Sequence, residues 1–456
     1  MSTTEQIAEG TPNNLSEPGW TRHAKVDAQN PWPGPDAYDE ASRPFFKGRK
    51  VEAEELLRLI RLASLTVLYG KSGLGKTSVL QAGLFPLLRA EHYFPVLLRI
   101  DFAEATKVSP LEQVKKHLKT SLDCAGVEYS PIESHESSWE YLHRKGAIFW
   151  SADNFPLIPV LVFDQFEELF SRTGGNVELI RQVFNELADL IENRIPPELA
   201  SKTAGQKRAR LDLLSQKYRV VLSFREDFLP EIRTWEKQVP SLLRNYLRLE
   251  PMSRECAIEA VELGGSKVLE EGVAPYIVDL VGKRDPLASA ADTSDVVIEP
   301  VLLSLCCTQL NLRRAPDAKI DKTLVETAGQ DILESFYREA LEDQDVKGEP
   351  DVAHFIETYL IQGDRFRGDY PKEEALNENK LRRQQLTALT DRIRLLRIVY
   401  RSDTARIELI HDRLVPVVRK ARDQRKSRSF TMSRNARRGK LRFCSISGIR
   451  PCGASM

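Results

Sequence analysis

The chain has 456 residues, 41% of them hydrophobic, with 66 lysines and arginines set against 66 aspartates and glutamates. That length can bury more than one core and predicts two or three domains. The charge balance gives no global case for a nucleic-acid or membrane partner. No apolar run reaches membrane-spanning length, and the opening MSTTEQIAEGTPNN lacks the basic and apolar regions of a signal peptide. The six cysteines, Cys124, Cys256, Cys306, Cys307, Cys444 and Cys452, form no C-x-x-C pair. They read as reduced core thiols of a cytoplasmic protein rather than as a zinc site or a disulfide framework.

In chain order, residues 1–37 are polar and rich in Pro, Gly and Asn, which predicts a disordered tail closing in an extended lead-in. SRPFFKGRKVEAEELLRLIRLAS then carries Leu56, Leu57, Ile60 and Leu62 at helical spacing. Leu65, Val67 and Leu68 make a short buried strand. After Tyr69 comes Gly70-Lys71-Ser72-Gly73-Leu74-Gly75-Lys76-Thr77, which fits G-x-x-x-x-G-K-[ST] at every fixed position.

With glycine near 7% of residues, that pattern arises by chance in roughly 1–2% of chains of this length. A strand before it and helical spacing from Thr77 to Leu88 after it lower that further. The glycines let backbone N–H groups turn inward onto phosphate oxygens, and the helix aims its positive end at them. Lys76 would neutralise the β- and γ-phosphates, and the Thr77 hydroxyl would ligate Mg²⁺.

Four more strands are predicted at Phe94–Phe102, Pro156–Asp164, Tyr218–Phe224 and Tyr246–Met252, separated by helical patterns. Strands alternating with helices specify an α/β fold: a parallel P-loop sheet covered on both faces. From Pro251 to Gln424 the periodicity is mostly helical, with a short strand pair near LRIVYRSDTARIELIHD.

The second strand of the site is PVLVFDQFEELF. Asp164 ends it at the C-terminal edge of the sheet, beside the phosphate loop, and is the second candidate ligand for Mg²⁺. Gln165 could orient the attacking water, and Glu167 or Glu168 could act as base; both glutamates facing solvent in a first helical turn is an equal alternative. In VVLSFRED, Arg225 stands just past a buried strand, where a guanidinium can fork onto a γ-phosphate.

Taken together these segments resemble the STAND class of signalling ATPases, and most closely the bacterial novel STAND NTPases. The resemblance runs from about Pro31 to Lys420. It rests on NPWPGPDAYDEASRPFFKGR, on GKSGLGKTSVLQAGLFPLL, on LVFDQFEELF, on VVLSFREDFL and on YLRLEPMSRECAIEAV. It implies ATP or ADP with Mg²⁺, held between a P-loop domain (38–250) and a lid made of a helical domain (251–345) and a winged-helix-like domain (346–426). Gly48 and Arg49 of the Phe45-Phe46-Lys47-Gly48-Arg49 motif would line the adenine and ribose side. The loop from Gly70 to Ser78 would bind phosphate, and His411 of IELIHDRLV would hold an ADP phosphate in a closed state.

The resemblance further implies slow hydrolysis, self-association in the ATP state, and a role in signalling or defence; it names neither trigger nor effector. Relatives often open the lid helix with Gly-x-Pro, whereas here it reads Ile298-Glu299-Pro300, so Pro300 is not carried over as an adenine contact. Where the family continues into repeat domains, residues 427–456 read as a basic, disordered tail with Arg434, Arg437, Arg438, Lys440 and Arg442, since no apolar periodicity organises it. A DNA-binding regulator using the winged helix and this tail is the alternative reading. A metabolic kinase is a third, but no acceptor-substrate constellation is visible beside Asp164.

Overall fold

The computed structural model describes residues 25–100, 111–172, 176–200, 209–282, 297–362, 366–401, 404–410 and 414–426. Its contacts divide the chain into two compact units, 1–326 and 327–456. The first unit is built on five parallel strands: β1 Leu65–Gly70, β2 Tyr93–Leu98, β3 Ile158–Phe163, β4 Arg219–Arg225 and β5 Tyr246–Arg248. They lie in the order β2-β3-β4-β1-β5, and every neighbouring pair is parallel.

Alternate residues of one strand serve opposite faces, which is why the central strands read as unbroken apolar runs. Leu65, Val67 and Tyr69 of β1 join Val96, Leu161, Phe163, Leu222 and Phe224 in a core capped by the helices Glu112–Cys124 and Val177–Ile191. Leu68 joins Val160, Val162 and Val221 on the other face, beneath the helix Lys50–Leu62 and the segment that comes after the phosphate loop. That segment starts as α-helix at Lys76–Ser78, loosens into π-helix over Val79–Leu84 and resumes as α-helix at Phe85–Ala90. β2 stops at Leu98, four residues short of the expected Phe102, and β5 stops at Arg248 rather than Met252.

The largest difference from the sequence reading lies in the lead-in. Residues 25–37 fell within the expected disordered tail, yet Pro31, Trp32, Gly34 and Pro35 are buried. The stretch has no regular element; side-chain packing and hydrogen bonds hold it. Thr308 Oγ1 donates to the Trp32 carbonyl at 3.1 Å and Asn311 Nδ2 to the Gln29 carbonyl at 2.7 Å, both from the helix Pro300–Arg313. Of the cysteines, Cys306 and Cys307 are buried in that helix, whereas Cys124 is exposed, so not all are core thiols.

The second unit contains a three-stranded antiparallel sheet in which Thr404–Leu409 lies between Asp369–Pro371 and Leu396–Arg401. Around it are the helices Val352–Tyr359, Lys372–Asn377 and Arg383–Thr387. Arg397 Nε donates to the buried Glu408 carboxylate at 2.6 Å inside this sheet. Among the described residues no helix is long and apolar enough to cross a membrane.

Gly48 packs directly on the helix Arg254–Gly264. Its φ is +76°, and a Cβ there would fall 2.3 Å from the Cys256 carbonyl oxygen. Gly272 has a similar φ of +78° but open space around it. Gly48→Ala is therefore expected to cost about 2–4 kcal/mol of unfolding free energy, and Gly272→Ala only about 1 kcal/mol. Denaturant unfolding of both full-length variants checks the difference.

Candidate functional site

The strand order brings the C-terminal ends of β1, β3 and β4 together, and the segments leaving these three ends make the site. After β1, the loop turns through Gly73 at φ +82° and Gly75 at φ +84°. No heavy atom lies within 4 Å of a Cβ built on Gly75, so the space beside that residue is open. Lys76 curls back across it, its Nζ donating to the carbonyls of Gly70 at 2.9 Å and Lys71 at 3.2 Å. Removal from water lowers the Lys76 ammonium to about 8, with the Glu167 carboxylate pulling the other way. Lys71 is exposed, Ser72 half-buried, and Leu74 packs into the core beneath the loop.

At the end of β3, Asp164 is buried and held from both sides. Thr77 Oγ1 donates to its Oδ2 at 2.7 Å, and Ser223 Oγ from β4 donates to its Oδ1 at 3.0 Å. Its backbone N–H donates to the Leu98 carbonyl at 3.2 Å, and the Arg99 guanidinium stands 3.9 Å from Oδ2. Hydrogen bonds to a charged group are worth about 1.5–3 kcal/mol each, enough to hold one rotamer of a buried carboxylate. Thr77 and Asp164 thus present adjacent hard oxygens at the mouth of the loop, the donor chemistry that suits Mg²⁺.

Beyond Asp164 the chain makes a left-handed step at Gln165, φ +57°, which leaves that side chain exposed. The step turns Glu167 inward. Its Oε2 is buried and has no hydrogen-bond partner among the described residues, and burial raises its carboxyl above the usual range against the pull of Lys76. Glu168 instead opens the short helix Glu168–Arg172 and is half-buried. Arg225 pairs across the sheet with Gly70, and its Nη2 is bound to Asp227 Oδ2 at 2.6 Å.

Beside the loop lies a pocket of about 620 Å³, part of it open to solvent. Its walls include Tyr38, Phe46 and Arg49 from the lead-in, Leu74 and Val79 from the loop and its helix, and Pro300 and Ser304. The Tyr38 backbone N–H donates to Ser78 Oγ at 3.1 Å, tying the lead-in to the phosphate loop itself. Arg49 braces the loop from behind: Nη2 donates to the Glu250 carbonyl at 2.8 Å and to that of Leu74 at 3.5 Å, and Nη1 pairs with Glu52. Gly48 is absent from the pocket walls and acts through its packing on Cys256. Pro300, set aside for want of the usual glycine, does line the pocket. It starts its helix at the position a proline favours, and the next residue, Val301, donates its N–H to the Gly73 carbonyl at 3.4 Å.

Sequence reading missed Ser223, Arg99, Trp32 and Ser304. A polar residue in the fully apolar run VVLSF was the available signal for Ser223; the others are defined by tertiary contact alone. His411 and the basic cluster of residues 434–442 lie outside the described residues.

Residues 31–280, more than half of the chain, match a family model described as Novel STAND NTPase 1. No curated protein matches. Among solved structures, a Walker-type ATPase of Pyrococcus abyssi is similar at 14% identity and a TM-score of 0.38, over 81% of this chain and 95% of that one. The ORC1 protein of Aeropyrum pernix, solved in complex with DNA, is similar at 16% identity and a TM-score of 0.40, over 87% and 96%.

The depressed Lys76 ammonium gives a pH test. A bound phosphate favours the charged form, so the complex holds the proton to higher pH than the free protein does. Nucleotide affinity should be flat below about pH 8 and fall as pH rises above it, with close to one proton taken up per nucleotide near pH 9. Calorimetric titration in two buffers of different ionisation enthalpy reads that proton directly.

Proposed function

The chain belongs to the novel STAND NTPase 1 family and is a P-loop ATPase, and from that premise we propose that it is a nucleotide-state switch. The observation that carries this reading is the hydrogen-bonded series Thr77–Asp164–Ser223 at the open mouth of the phosphate loop, with Lys76 and Glu167 beside it. The backbone from Gly70 to Ser78 wraps the phosphates and Lys76 neutralises them. Thr77 and Asp164 would hold Mg²⁺, which would offset charge on the phosphate oxygens.

Glu167 is the base. Water attacks the γ-phosphorus, its proton passes to the Glu167 carboxylate, and the bond to the β-phosphate oxygen breaks with its electron pair leaving on ADP. Gln165 orients the water, and Arg225 leaves Asp227 to fork onto the γ-phosphate. Glu168, the first residue of the helix Glu168–Arg172, takes no proton. Gly48 and Arg49 build the nucleobase side by packing and by bracing the loop.

Switching rests on the contact between the helix Pro300–Arg313 and the loop. A ligand shifts a conformational equilibrium only through its differential affinity for the two states. Val301 sits on Gly73, so a change in what the loop holds is felt at the start of that helix. In this reading residues 251–345 are the helical part of a lid and 346–426 a winged-helix-like part. The succession of helices and an antiparallel sheet in the second unit supports the latter. Hydrolysis is slow, the ATP state self-associates, and the output is signalling or defence in the cytoplasm.

Lys76→Ala is expected to abolish ATP binding in a folded protein. Glu167→Gln should keep ATP bound while hydrolysis falls by about 10²-fold or more, with Glu168→Gln close to wild type. Single-turnover hydrolysis alongside equilibrium binding separates these outcomes. Wild-type turnover in Glu167→Gln would remove the assigned base, and unchanged ATP affinity in Lys76→Ala would remove the site.

A further inference from the structure

The two acids that follow β3 are held in different ways. Asp164 accepts a hydroxyl at each oxygen, from Thr77 and from Ser223. Glu167 Oε2 is buried with no hydrogen-bond partner among the described residues, although its carboxylate lies close enough to Lys76 and Arg225 to feel both charges. A buried group that hydrogen bonds do not orient takes its position from the backbone that carries it and from the packing around that backbone. The turn bearing Glu167 therefore has to be fixed by its neighbours.

Aromatic rings supply this. The Phe166 N–H donates to the Ser223 carbonyl at 2.9 Å and the Phe170 N–H to the Glu167 carbonyl at 3.0 Å, so two tethered phenylalanines flank the glutamate. The Phe166 ring is buried and meets Phe163 and Phe184 edge-on, with centroids 6.3 and 5.8 Å apart. Phe170 stacks on Phe228, centroids 6.0 Å apart and planes at 24°, and tilts against Phe184 at 6.2 Å. Phe184 in turn lies flat on Trp235 at 4.5 Å. These are the offset and edge-on arrangements that ring quadrupoles favour.

The contact of Phe170 with Phe228 differs from the others in what it joins. Phe228 ends the 3-10 turn Glu226–Phe228 directly after β4, and its chain neighbour Asp227 is the partner of Arg225 Nη2. Phe170 lies one turn past Glu167. A single ring contact thus ties the segment carrying the base to the segment carrying the γ-phosphate arginine. Phe170 is half-buried and does not line the pocket beside the loop, so its side chain can be trimmed without touching the nucleobase side.

We propose that Phe170 is a positioning residue for hydrolysis: stacked on Phe228, it holds the turn of Glu167 against the Arg225 segment, so that the carboxylate meets the attacking water. This rests on the reading of Glu167 as the base and adds what orients it. Misplacing a reacting group by about 1 Å can cost about 10²-fold in rate, and it need not weaken binding.

The test measures single-turnover hydrolysis and equilibrium ATP binding on the full-length protein. Phe170→Leu is expected to slow hydrolysis about tenfold or more while ATP affinity stays within about twofold of wild type. Phe170→Tyr, which keeps the ring, stays near the wild-type rate. Phe228→Leu removes the stack from the other side and slows the same step, and the double variant is no slower than the slower single one. In the Glu167→Gln background Phe170→Leu has no further effect, because it acts through that carboxylate; a merely structural role would slow both backgrounds alike. Wild-type turnover in Phe170→Leu, an equal loss in the Glu167→Gln background, or a loss of ATP affinity that accounts for the loss of rate overturns the proposal. Glu167→Gln alone separates the two readings. Wild-type turnover there removes the base and this role with it, whereas a slow Glu167→Gln beside a wild-type Phe170→Leu removes this role only.

Discussion

The carboxylate of Asp164 is the point on which the rest of the site depends. A buried charge persists only where its neighbours hold it, and Asp164 is held by hydroxyls from two different strand-end segments. Thr77 comes from the loop after β1 and Ser223 from β4. Because β4 lies between β1 and β3, the three strand ends sit side by side, and the register Gly70 with Arg225 places the sheet's last pairing beside the loop. Shifting β4 by one residue would turn Ser223 onto the opposite face of the sheet, away from Asp164. Strand order and register therefore do the chemical positioning before any ligand arrives.

The lead-in is the second constraint. It carries no helix or strand longer than the 3-10 turn Arg43–Phe45, yet it closes one wall of the pocket and reaches the loop through Tyr38 and Ser78. What fixes it is a series of close approaches. Trp32 fills space over Gly264 and Gly265, Gly48 lies on the Cys256 carbonyl, and Arg49 spans from Glu52 to Glu250. Fully burying a large side chain contributes about 1.5–3 kcal/mol, and here that burial joins the loop, the helix Arg254–Gly264 and the helix Pro300–Arg313 around one cavity. Pocket shape is thus coupled to the helices that the switch reading asks to move.

Much of this was legible in the sequence, and the reasons are physical. A strand buried on both faces is largely apolar, so β1, β3 and β4 announce themselves as runs such as LTVL, PVLVF and VVLSF. A phosphate loop needs glycines at fixed offsets, and Asp164 comes directly after its strand without a gap. The lead-in reads as tail because Pro, Gly and Asn signal the absence of regular structure, which is not the absence of packing. Ser223 left only the signal of a polar residue within VVLSF, whereas Trp32 and Ser304 are defined by tertiary contacts that no local pattern encodes. That Glu167 Oε2 is buried while Gln165 stays exposed goes with a left-handed backbone at Gln165, which composition does not encode.

The central claim is that Thr77 and Asp164 form a metal site completed by nucleotide. Electron paramagnetic resonance with Mn²⁺ substituted for Mg²⁺ tests it without relying on turnover. The account predicts about one bound Mn²⁺ per chain when nucleotide is present, little in its absence, and loss of the nucleotide-dependent signal in Asp164→Asn. Nucleotide-dependent Mn²⁺ binding that survives unchanged in Asp164→Asn combined with Thr77→Ala would contradict it.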